Sequence, residues 1–227
     1  MKKAVKNVNL TLRWSIRIGT LLYCVYMLFF AKTYQFMALN VFLAYLPIEL
    51  SLHFQQRNNQ LFLILAGLWL LFYPNAPYLF TDFFHLETLS IYQGMNRLFE
   101  QSLSAWLSFS LLTVGICVYG FLGMATLFTV LNEGYRRRLL KRKWQGFLIF
   151  LIVNILSSLA IYVGRFDRLH SIHLFTKPLQ TLKTIFFNWS LEKSFFILLF
   201  TMLQAILLAA IIGLRWLEPL EKQEKLY

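Results

Sequence analysis

The chain has little charge for its length. Of its 227 residues only 14% are Asp, Glu, Lys or Arg, while 58% are apolar. An ordinary soluble domain carries about a quarter charged residues, so a soluble fold and a disordered chain both fit poorly. Acids are scarcer still, with 10 Asp and Glu against 22 Lys and Arg. There are two cysteines, Cys24 and Cys117, each inside an apolar run without a CxxC pair. That pattern gives no disulfide framework and suits buried thiols acting as small apolar groups. Low-complexity tracts and internal repeats are missing, as are a Walker loop, GxSxG, HExxH and a dinucleotide fingerprint, so no enzyme class is indicated. GxxxG is also missing, which leaves no dimerisation face to read.

What the sequence does contain is hydrophobic runs. A helix needs about 20 mostly apolar residues to cross the hydrocarbon, and six stretches qualify: 14–31, 36–52, 61–80, 103–131, 147–163 and 195–214. The fold expected is all-α, a single polytopic membrane domain over 1–227 with about six transmembrane helices. The fourth stretch exceeds one straight crossing, so it is expected to tilt or to bend near Gly115, Gly120 and Gly123. The first is read as an uncleaved helix, because Phe29 and Phe30 precede Ala31 where a signal cleavage site wants small residues.

The net charge of +12 lies mostly between these stretches, which points to cationic cytoplasmic loops and away from nucleic acid. Residues 1–13 carry +4 and 132–146 carry +5, so both segments and both termini are expected on the cytoplasmic side of the plasma membrane. Residues 81–102 then face outward with −2, and 164–194 with +3, against the rule. An amphipathic pattern over 179–189, following Pro178 and ending on Trp189, predicts a helix lying in the interface. The segment from Asp82 to about Tyr92 is a weaker example of the same pattern, or a solvated loop.

The polar residues of interest gather at the outer ends of the third and fifth stretches. Pro74 and Pro77 remove two amide donors and free the carbonyls of Leu70 and Tyr73, with Asn75 placed between them to bond those carbonyls. Asp82 and His85 follow at i, i+3 spacing, suited to a carboxylate–imidazole pair or two metal ligands; Asp82 suits a helix N-cap equally well. The fifth stretch ends in Arg165, Asp167, Arg168, His170 and His173. Three uses of this outer cluster are open. Arginines bind phosphate or carboxylate; Asp82, His85, His170 and His173 could hold a divalent metal; or the arginines merely anchor to lipid phosphates. Glu49, within the second stretch, has His53 and Arg57 at i+4 and i+8 as partners, and a salt-bridged acid is the simpler reading than a proton relay.

Three blocks carry a resemblance: LNVFLAYLP (Leu39–Pro47), LFYPNAPYLFTDFFHL (Leu71–Leu86) and GRFDRLHS (Gly164–Ser171). In that order they resemble an uncharacterised bacterial multi-pass membrane family, domain of unknown function 1361. The positions that the resemblance implies are Asn40, Pro47, Pro74, Asn75, Pro77, Tyr78, Asp82, His85, Arg165, Arg168 and Ser171. The chain departs from the family pattern at Tyr45, where a Trp is expected, at His170, where an Asn is expected, and at His173, where an acid is expected. The resemblance groups Asp82, His85, Arg165 and Arg168 and supplies no activity.

The function expected from these readings is a membrane-embedded binding or transport component. It recognises an anionic small molecule or lipid headgroup through Asn75, Asp82, His85, Arg165, Arg168 and Ser171. No cofactor is predicted, and the partners are the bilayer and that anionic ligand. The alternatives are a metal-dependent membrane enzyme acting on a lipid-linked or phosphorylated substrate, with His85, Asp82, His170 and His173 as ligands, and a non-catalytic membrane assembly protein.

Overall fold

A computed structural model of the chain describes all residues except 1, 32, 55–57, 90–91, 94–97, 100–101, 168–175, 177–178, 180–182, 184–188 and 217–227. For residues 2–9, 92–93, 98–99 and 215–216 the backbone alone is described. The described residues are mainly helical: α1 (Lys2–Phe29), α2 (Met37–Ser51), α3 (Asn59–Phe72), the short α4 (Asn75–Tyr78), a 3₁₀ helix (Leu79–Thr88), α5 (Leu103–Val114), a π-helical turn (Gly115–Tyr119), α6 (Gly120–Arg136), α7 (Lys143–Arg165) and α8 (Leu191–Trp216). The one extended element among the described residues is an antiparallel pairing of β1 (Tyr92–Gln93) with β2 (Leu98–Phe99). Among the described residues four runs are long and apolar enough to cross a membrane: Asn59–Thr88, Leu103–Arg136, Lys143–Arg165 and Leu191–Leu214. At 15 residues, α2 rises about 22 Å against a hydrocarbon core of about 30 Å. Large apolar side chains such as Leu21, Phe29, Leu63, Phe147 and Ile206 are exposed along the helices, as suits lipid rather than water.

The described residues form two compact units, Met1–Arg137 and Arg138–Tyr227. In the first, α2 is central. Its Met37, Val41, Ala44 and Ile48 recur at i, i+4, i+7 and i+11 and are buried, while Leu39 and Phe42 on the other face are exposed. The glycines expected to bend the fourth stretch serve close packing. A Cβ on Gly115 would meet the Tyr23 hydroxyl and Met37, one on Gly120 the Phe80 ring, and one on Gly123 the Cβ of Ala76 and the carbonyl of Ala44. Between Gly115 and Tyr119 the helix widens to a π turn, so the irregularity is a local change of hydrogen-bond register.

The proline break differs from expectation in detail. Asn75 Nδ2 donates to the carbonyl of Phe72 at 2.9 Å, and the Tyr73 carbonyl accepts from the Ala76 amide at 3.0 Å. The amide side chain thus caps the end of α3 rather than the carbonyls of Leu70 and Tyr73. Beyond α4 the chain tightens into a ten-residue 3₁₀ run, long for that geometry. The third apolar stretch therefore stays helical to Thr88, well past residue 80. Within this run Asp82 is buried and Phe84 exposed, so Asp82 is not the solvated residue of a connecting loop. The pattern over 179–189 falls largely outside the described residues.

In the second unit α7 packs on α8 through Leu159, Val163 and Ile197, with Tyr162 against them. A polar seam runs beside this contact. Gln204 Nε2 donates to Ser158 Oγ at 2.7 Å, and the Ser158 and Thr201 hydroxyls lie 2.9 Å apart.

Candidate functional site

The 3₁₀ geometry determines which side chains share a face. With three residues per turn, i and i+3 eclipse, so Leu79, Asp82, His85 and Thr88 form one file. An α-helix would have rotated each about 60° from the last. Asp82 is wholly buried, yet its carboxylate is served from two directions. Asn40 Nδ2, from the first turns of α2, donates to Oδ2 at 2.7 Å. His85 Nε2 stands 3.9 Å from Oδ1, and its side chain is 36% exposed against 0% for Asp82. An acid buried among apolar helices is costly without such partners. Asp82 lies inside the helical run, whose N-cap is Tyr78, so the N-cap reading of this residue is corrected.

A second layer holds His85 in place. Its carbonyl accepts from the Tyr34 hydroxyl at 2.9 Å and from the Thr88 hydroxyl at 2.7 Å. The Phe36 ring lies 4.5 Å from the imidazole, centroid to centroid. Tyr34 has φ of 64°, a left-handed conformation that costs a non-glycine residue about 1–2 kcal/mol. That strain persists where the surroundings over-determine the residue; here the ring is buried and its hydroxyl is bonded at the head of the α1–α2 connection. Together these groups set a part-exposed imidazole beside a buried carboxylate. An imidazole placed this way can offer a ring N–H to an anion.

The other expected site residues are distributed as follows. Asn75 caps α3 and is half-buried. Arg165 ends α7 in the second unit, also half-buried. Arg168, His170, Ser171 and His173 lie outside the described residues. Among the described residues no three His, Cys, Asp or Glu side chains gather to hold a metal ion, so of the four expected ligands the structure brings together Asp82 and His85.

Glu49 is salt-bridged, as expected, and His53 Nε2 lies 3.0 Å from it. Its principal partner went unread. Arg17 of α1 grips the carboxylate with Nε, 3.1 Å from Oε2, and with a terminal nitrogen on Oε1, while the Tyr45 hydroxyl donates to the same group. Arg57 is outside the described residues. The available signal was an unpaired cation in one apolar run and an unpaired acid in the next. For Tyr34 and Phe36 no sequence signal existed, and Asn40 was marked by resemblance alone.

A family model described as "Protein of unknown function (DUF1361)" matches residues 39–207. No curated protein and no solved structure matches the chain. The matched span contains Asn40, Asp82 and His85 as well as Arg165.

Proposed function

The chain belongs to the DUF1361 family, and from that premise we propose that it is a multi-pass protein of the plasma membrane that binds or transports an anionic ligand, a small molecule or lipid headgroup, at the Asn40–Asp82–His85 centre. The observation that carries this is the pairing of a wholly buried carboxylate with a histidine that is one-third exposed. Asn40 holds Asp82, Asp82 lies beside the ring, and His85 is the group that meets the ligand through a ring N–H. Phosphate and carboxylate oxygens are the partners that an imidazolium N–H recognises best.

The experiment is thermal unfolding of the purified protein in neutral detergent, with inorganic phosphate or glycerol phosphate added. A ligand that binds the native state alone raises the midpoint with its concentration. Phosphate acting by itself identifies a free anion, and a response to glycerol phosphate only identifies a headgroup. His85→Gln should abolish the rise while leaving the unliganded midpoint close to wild type. An equal rise in His85→Gln, or none in the wild type, overturns the proposal.

Six crossings with both termini in the cytoplasm belong to the same reading, supported by the +4 of residues 1–13 and the +5 of residues 132–146. Single cysteines at Gln93 and Gln145, in a chain freed of Cys24 and Cys117, should label from opposite sides of the membrane. Labelling of both from one side contradicts that arrangement.

A further inference from the structure

We propose that the turn leading into α7 is a seat for an anionic phospholipid, its phosphate held by Arg138, Lys141, Arg142 and Lys143 and its acyl chain laid along α7. Those four basic side chains fall within six residues and all are exposed. In the sequence the acids on either side of the turn are Glu133 and Asp167, with none between them. Clusters of four or more Lys and Arg beside a membrane-crossing helix attract anionic headgroups, at about 1 kcal/mol for each cation near the surface.

Three features make this a built surface rather than a charged loop. The backbone is fixed, because the Gln145 side-chain oxygen accepts from the amides of Lys141 at 2.7 Å and of Arg142 at 3.0 Å. Arg138 has φ of 59°, at the position just beyond a helix end where glycine is the usual residue. An arginine there costs about 1–2 kcal/mol, and a strained residue retained at a surface points to a use for its side chain. Finally, Trp144, Phe147, Leu148, Leu151 and Ile155 recur at i, i+3, i+4, i+7 and i+11 along α7, and all are exposed. Their file begins beside the cations and runs about 16 Å. A phosphate with an acyl chain below it matches both parts. A nucleic acid or a soluble acidic partner would leave the apolar file in water.

This inference uses the membrane reading and is independent of the Asp82–His85 centre. The test is native mass spectrometry of the full-length protein from detergent, equilibrated with phosphatidylglycerol or with phosphatidylcholine. Phosphatidylglycerol should remain bound and phosphatidylcholine should not. Lys141→Gln with Lys143→Gln should weaken retention about thirtyfold, from two lost charges, while Lys141→Arg with Lys143→Arg retains it. Arg138→Gly is the sharper variant. It relieves the left-handed strain and should raise the unfolding midpoint, yet lower retention about fivefold. The glutamine pair should keep the phosphate-dependent rise of the unfolding midpoint that depends on His85, which separates this result from a failure of the anion centre. Equal retention of the two lipids, or wild-type retention in the glutamine pair and in Arg138→Gly, overturns the proposal.

Discussion

Replacing Asn40 with leucine is expected to destabilise the protein by about 3 kcal/mol, the upper range for a hydrogen bond to a charged partner in a buried place. Leucine has nearly the shape of asparagine, so little packing is lost. What is lost is the amide donor that meets Asp82 Oδ2 at 2.7 Å. The carboxylate is wholly buried and cannot recover that bond from water. Asp82→Leu alone should cost less, because the stranded group is then a neutral amide. The double replacement should recover much of the Asn40→Leu loss, since removing both partners leaves nothing unsatisfied. The three variants form a cycle measurable by denaturant titration in mixed micelles. A cost for Asn40→Leu within about 0.5 kcal/mol, the range of surface changes, would show that the bond contributes nothing.

Glu133→Leu is expected to have the largest effect of any single change in the first unit, about 3–5 kcal/mol. Glu133 is buried and carries two arginines, Arg136 at 2.6 Å and Arg137 at 3.4 Å. They are not equivalent. The Arg136 side chain is 57% exposed, so its share is small. That of Arg137 is 8% exposed and also donates to the Phe54 carbonyl at 2.6 Å and to Asn59 Oδ1 at 3.0 Å, with its guanidinium 4.7 Å above the Phe62 ring. Arg137 thereby ties the end of α6 to the α2–α3 connection. Without Glu133 its charge is buried and uncompensated, which accounts for the size of the effect. Thermal unfolding should show a much larger fall for Glu133→Leu than for Arg136→Leu. Equal small falls would mean that Arg137 is held by its carbonyl and ring contacts alone.

Much of the helical layout can be read without coordinates, because apolar run length and helix length obey the same constraint. The six stretches coincide with α1, α2, the α3 to 3₁₀ run, α5 to α6, α7 and α8 to within several residues at most of their ends. The exceptions have local causes. α1 extends back to Lys2, since basic residues continue a helix as readily as apolar ones. The third stretch ends at residue 80 by its apolar content, since Thr81 and Asp82 follow; here the chain continues through α4 into a 3₁₀ helix. That conversion decides the site. Spacing of i, i+3 already put Asp82 near His85, but only the tighter helix aligns Thr88 with them and turns Asp82 inward. The remaining partners, Asn40 and Tyr34 for Asp82 and His85 and Arg17 for Glu49, lie 42, 51 and 32 residues away in the chain. Pairings at that distance follow from helix packing, and no periodicity records them.

The most direct test of the centre is the ¹⁵N resonance of the His85 ring, recorded by NMR on the full-length protein in nanodiscs with and without inorganic phosphate. A His85→Gln sample assigns the signal. Phosphate should shift both ring nitrogens of the wild type, and the shift should shrink markedly in Asp82→Asn, where the ring loses its charged neighbour but keeps a folded protein around it. A His85 signal that ignores phosphate in the wild type, or responds identically in Asp82→Asn, would contradict an anion-binding centre built on Asp82 and His85.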